Sequence, residues 1–100
     1  MRYARRRDGN HLEIVHALES IGVGVYDAGS AGGGLTDLVT FYRGKVDLIE
    51  IKDGKKPPSQ RKLTPAQIKL HAMAQHHGVS IPVIESVDQA LAYFQAIPSA

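Results

Sequence analysis

Two acidic residues and a lysine have the types and spacing to do chemistry on a phosphate: Asp37 and the triplet Glu50-Ile51-Lys52. A Glu-x-Lys triplet is common, so its meaning depends on what it faces. Residues 36–42 and 45–52 read as two strands joined at Arg43-Gly44. A two-residue turn sets Tyr42 opposite Lys45, Phe41 opposite Val46, Val39 opposite Leu48 and Asp37 opposite Glu50. The last three pairs then share one face of the sheet, apolar near the turn and doubly acidic at the far end. A three-residue turn would set Phe41 against Asp47 and lose this pattern.

Directly opposed side chains have Cβ atoms roughly 4.5–5.5 Å apart, and like charges at that spacing repel. A divalent cation relieves the repulsion. Magnesium suits the site, because it takes a few carboxylate oxygens and keeps waters for phosphate chemistry. Lys52, two residues beyond Glu50, projects from the same face. Such a cation polarises a phosphoryl oxygen and acidifies a water, while an ammonium group stabilises developing charge.

The elements that must position these groups follow from the rest of the chain. A first helix is expected from about Asp8 or Asn10, with Asn10 and Glu13 at capping-box spacing. Its apolar stripe is Leu12, Val15, Leu18 and Ile21, and Gly22 ends it. Val23 to Tyr26 suggests a short strand, and residues 28–34 a flexible glycine-rich loop. After the hairpin, Pro57-Pro58 stiffens a polar segment. Thr64-Pro65 opens a second helix that closes at Gly78. Val79 to Ile84 reads as a strand whose Pro82 implies an edge or a bulge. Ser86, with Gln89 at capping-box spacing, starts a last helix to about Ala96. The order helix, three strands, helix, strand, helix suits an α/β sandwich around a mixed sheet.

One hundred residues make a single domain, residues 1–100. No apolar run approaches the roughly 20 residues of a membrane span, and the basic start is not followed by an apolar stretch. Cysteine is absent, which excludes disulfides and thiolate metal sites and fits an intracellular setting. The net charge is only +2, but most of the cations crowd two stretches. One is a basic arm at residues 1–7 with Arg5, Arg6 and Arg7. The other holds Lys52 and a basic loop at residues 53–63 with Lys55, Lys56, Arg61 and Lys62. Clusters of this kind suit a polyanion, though a solvated tail and loop would look the same. Gly32-Gly33-Gly34 lacks the Gly-Lys-Ser/Thr ending of a P-loop. His71, His76 and His77, late on a helix, suit surface or helix-end roles rather than zinc. His11 and His16 show no ligand spacing.

Taken together, the chain resembles the PD-(D/E)XK nucleases. It is most similar to the small virus-type replication–repair nucleases (VRR-NUC) and to archaeal-type Holliday junction resolvases. The residues that carry the resemblance run from Leu12-Glu13-Ile14-Val15 through Gly22, Ala28-Gly29-Ser30, Gly34-Leu35-Thr36-Asp37 and Leu48-Ile49-Glu50-Ile51-Lys52 to Gln67. The proline that precedes the aspartate in the family is Thr36 here.

The resemblance implies a restriction-endonuclease-like αβββαβ core plus a C-terminal helix, a central mixed sheet flanked by helices. Asp37, Glu50 and the Ile51 carbonyl would bind Mg²⁺ or Mn²⁺, and Lys52 would be the catalytic lysine. Glu13 would reach the metal directly or through water, and Gln67 would support the site; for both, helix capping is the competing role. Ser30 resembles a serine near the phosphate in resolvases. The implied activity is structure-selective cutting of branched DNA by a homodimer, in an intracellular and phage-related setting, with the basic residues gripping phosphates. Other readings are a flap or single-strand nuclease, an RNA nuclease, or a non-catalytic DNA-binding module on the same fold.

Overall fold

The computed structural model describes residues 9–31 and 36–99. Arg5, Arg6 and Arg7 lie outside them. The chain runs α1 (His11–Ser20), β1 (Gly24–Tyr26), β2 (Leu38–Tyr42), β3 (Lys45–Ile51), α2 (Pro65–His76), β4 (Val83–Ile84) and α3 (Val87–Gln95). Short 3-10 turns occupy Ala28–Ala31 and Pro58–Gln60. The start of the glycine-rich segment is therefore ordered into a turn, where a flexible loop was expected.

The β2–β3 hairpin closes through two residues, as its register requires. Arg43 and Gly44 have φ of +51° and +78°, the left-handed pair of a type I′ turn. The ladder runs from Tyr42 opposite Lys45 to Leu38 opposite Ile49. Strand order is β1-β2-β3-β4, with the first three antiparallel and β4 parallel to β3.

Alternation then divides the sheet. Leu38, Ile49 and Ile51 point into a core with Ile14 and Leu18 of α1, Ile84 of β4, and Ala90 and Phe94 of α3. The other face carries Tyr26, Val39, Phe41, Val46, Leu48 and Glu50. Near the turn it stays open to solvent, with Phe41 53% and Val46 60% exposed.

The helix ends account for several differences from the expected elements. Both α1 and α2 finish in a Schellman pattern: Val23 N–H reaches Leu18 O, and Val79 N–H reaches Ala74 O. Val79 thus belongs to the exit of α2. Pro82 has no N–H, so β4 shrinks from the expected 79–84 to Val83–Ile84. At the start of α1, Asn10 forms no side-chain cap. Its amide donates instead to Lys52 O (3.1 Å) and Glu85 O (3.0 Å), stitching α1 to the ends of β3 and β4. The buried stripe shifts accordingly to His11, Ile14, Val15 and Leu18, and Leu12 is exposed. At α3, Ser86 Oγ accepts from Gln89 N–H, but the Gln89 amide oxygen takes Glu85 N–H rather than that of Ser86.

α2 buries no residue. It stands over the open face only where the Glu50–Lys52 end of β3 meets it, through the two side-chain bonds described below.

Candidate active site

Three residues at the end of β3 and just beyond it are pinned alternately from both sides. Glu50 N–H and Lys52 N–H donate to Pro82 O and Ile84 O, which fixes them toward β4. Ile51 N–H points the other way, where the β2 ladder has already ended. There the Asp37 side chain replaces a backbone acceptor, its Oδ2 taking Ile51 N–H at 2.8 Å. The expected ladder pair of Asp37 with Glu50 is not formed; the ladder ends at Leu38–Ile49, and the Asp37 side chain instead takes the backbone of the triplet at Ile51. Asp37 is fixed from behind as well, since its carbonyl accepts Gly29 N–H at 2.8 Å. A Cβ on Gly29 would lie 3.2 Å from Asp37 Oδ1, so the 28–31 turn needs a glycine to approach so closely.

Glu50 is 1% exposed and is the charged residue at the centre of the site. Its Oε2 lies 3.2 Å from His71 Nε2, whereas its buried Oε1 has no hydrogen-bond partner. Burial pushes its pKa up, the Asp37 charge adds to that, and the His71 hydrogen bond opposes it. A buried carboxylate with one oxygen unmatched, beside a second carboxylate, fits a cation that completes its shell with water. Among the described residues no cluster of three His, Cys, Asp or Glu forms a metal-holding set. Asp37 and Glu50 are the side chains here that could hold such an ion, with waters or phosphate oxygens making up the remainder.

Lys52 Nζ donates to Gln67 Oε1 at 3.0 Å. The same oxygen accepts Thr64 N–H, and Gln67 N–H donates to Thr64 Oγ1, completing the capping box of α2. For Gln67, then, capping and site support are not alternatives; one amide does both.

The other predicted residues fall further out. Glu13 is exposed and lines a cavity of about 600 Å³ with Asn10, Asp53, Arg61, Glu85 and Asp88; neither Asp37 nor Glu50 borders it. The capping box of Asn10 with Glu13 is absent, because the Asn10 amide is committed elsewhere. Ser30 belongs to the 28–31 turn, and its side chain lies outside what is described. Lys55, Lys56 and Lys62 are exposed, while Arg61 bonds Glu85 at 3.1 Å. His71 is the residue that sequence reasoning misassigned to the helix surface. Its distance of four from Gln67 was the available signal, since that spacing repeats a helix face.

A parallel β-strand beside an antiparallel hairpin, with helices on both faces, is an arrangement shared with known folds. A solved structure described as "VRR_NUC domain" superposes with a TM-score of 0.66 over 91% of this chain and 97% of that one, at 22% identity. The chain has the VRR-NUC fold. No family model and no curated protein matches it. Among the described residues, no helix is long and apolar enough to cross a membrane.

Proposed function

We propose that this protein is a divalent-metal-dependent DNA endonuclease that selects branched substrates by shape. The observation that carries the reading is the buried Glu50 carboxylate, with one oxygen unmatched, beside Asp37 and two residues from Lys52. The likeness to a VRR_NUC domain supports a nuclease as the class. Asp37, Glu50 and the Ile51 carbonyl would hold Mg²⁺ or Mn²⁺. When bound, the ion supplies Lewis acidity toward a phosphoryl oxygen and a water of lowered pKa.

The remaining work falls to the chain's own groups. Lys52, steadied by Gln67, presents an ammonium where charge develops on the phosphate. Asp37 keeps its orientation through Ile51 N–H, so substrate binding does not have to organise it. Lys55, Lys56 and Lys62 follow β3, and Arg5 to Arg7 precede α1. These cations would hold phosphates on either side of the scissile bond without reading bases. Arg61 shares its charge with Glu85 and steadies the loop instead. A homodimer belongs to this reading, since two strands need two sites. The apolar face around Phe41 and Val46 supports it. DNA as substrate also favours an intracellular setting.

The test offers labelled four-way junctions, flaps, duplexes and single strands with Mg²⁺, Mn²⁺ or EDTA. Junction cleavage is expected with either metal and none with EDTA. Glu50→Gln and Lys52→Ala should each lower the rate by about 100- to 1,000-fold. Cleavage in EDTA, or untouched by both substitutions, overturns the mechanism. Binding without cleavage under every metal condition would mark a non-catalytic module, and preference for flaps or RNA would replace the substrate.

A further inference from the structure

Glu50-x-Lys52 at the end of β3 is matched by Gln67-x-x-x-His71 on α2. Two residues along a strand advance by about 6.6 Å. Four residues along a helix advance by about 6 Å. The two rises agree closely enough for one helix turn to bond both functional side chains of the strand. Gln67 takes Lys52 at 3.0 Å, and His71 takes Glu50 at 3.2 Å. On a helix without a single buried residue, Gln67 and His71 belong to the half-buried face with Leu70 and Ala74. Half of that face is thus spent on the triplet rather than on packing.

We infer that His71 is a positioning residue for the metal site, which holds Glu50 by Oε2 so that Oε1 is presented as the ligand atom. The inference rests on the nuclease reading of Asp37 and Glu50. An ionised carboxylate only accepts hydrogen bonds, so Nε2 of His71 carries the hydrogen in this contact. That bond occupies one carboxylate oxygen and fixes the torsion of the side chain. The other oxygen is left buried and unpartnered. A carboxylate held in this way binds as a one-oxygen ligand with little rotational freedom to lose. Outer partners that orient a metal ligand typically change metal affinity by 10- to 100-fold when removed. His71 acts through Glu50, because its Nε2 is engaged by the Glu50 carboxylate.

The bland alternative is that His71 merely satisfies a buried glutamate and contributes only to stability. Calorimetric titration of the metal-free full chain with Mn²⁺ separates the two, with thermal melting in EDTA as the control. His71→Ala should raise the Mn²⁺ dissociation constant about 10- to 100-fold. His71→Gln retains a donor on a side chain of similar reach and should bind within a few-fold of wild type. His71→Asn, whose donor stops short, should bind nearly as weakly as alanine. In cleavage assays the defect should lie in the metal concentration needed for half-maximal rate, with kcat recovered at saturating Mn²⁺.

His71→Ala binding Mn²⁺ within twofold of wild type overturns the inference. So does His71→Gln binding no better than His71→Asn, a comparison that stands even where the alanine variant fails to fold. In both cases the nuclease reading survives. Wild-type protein that takes up no Mn²⁺ overturns that reading and the role of His71 with it.

Discussion

At the scale of single residues, Glu50 concentrates the cost and the function of the site. Burial raises its pKa from an ordinary value of 4.5, so ionising it is harder in the folded chain than in the unfolded one. The sign follows from linkage. The metal-free protein has the full benefit of a neutral Glu50 below the ordinary glutamate value, and loses it as pH climbs through the raised one. Glu50→Gln removes that loss. In EDTA at neutral pH the variant should melt above wild type, and the gap should close as pH falls below 4.5. Melting curves recorded across that range check it; a variant less stable than wild type at neutral pH would contradict the assigned cause. Function runs the opposite way, because the glutamine lacks the charge that attracts a cation.

At the scale of elements, α2 couples its own start to the lysine. Thr64 and Gln67 cap the helix reciprocally, and the Gln67 amide oxygen also receives Lys52. Thr64→Ala and Gln67→Ala each remove part of the cap and should each cost about 1 kcal/mol. For a domain of this size that lowers Tm by about 4–8 °C. Only Gln67→Ala also frees the ammonium group, so its cleavage rate should drop about 10-fold or more, while Thr64→Ala stays close to wild type. Equal cleavage losses in the two variants would mean that the helix start, not the lysine contact, is what matters. At its turn end the hairpin is anchored by a different element. Tyr93 of α3 donates to the buried Asp47 at 2.8 Å, and Arg43 Nη1 reaches Ile97 O at 2.6 Å. The two ends of β3 are therefore held by different helices, on opposite faces.

At the scale of the molecule, the sheet is covered unequally. α1 and α3 close one face with the core, whereas α2 shelters only the Glu50 end of the other. What remains open displays Tyr26, Phe41 and Val46, each more than half exposed. If this is where two copies meet, Phe41→Lys should convert a sedimenting dimer into a monomer with unchanged far-UV circular dichroism, since the side chain supports no core contact. A wild-type chain that sediments as a monomer and still cuts junctions would remove the symmetric dimer from the reading.

Local physics was enough for much of this. A two-residue turn at Arg43-Gly44 with period-two alternation is enough to set the hairpin register from Tyr42–Lys45 to Leu38–Ile49, which leaves Asp37 one residue beyond the ladder. Thr64-Pro65 and Ser86 announced their helices because capping chemistry is carried by neighbouring residues. Other features depended on partners far along the chain. Asn10 has the right neighbour for a capping box, yet its amide is claimed by Lys52 and Glu85, 42 and 75 residues away. Val79 to Ile84 reads as a strand, but the exit of α2 takes its first residue. His71 looks like one of three surface histidines until the rotation of α2 about its axis is known. A sequence carries the phase of each helix relative to itself; only packing sets that phase against the sheet, and so only the tertiary structure put a histidine on Glu50.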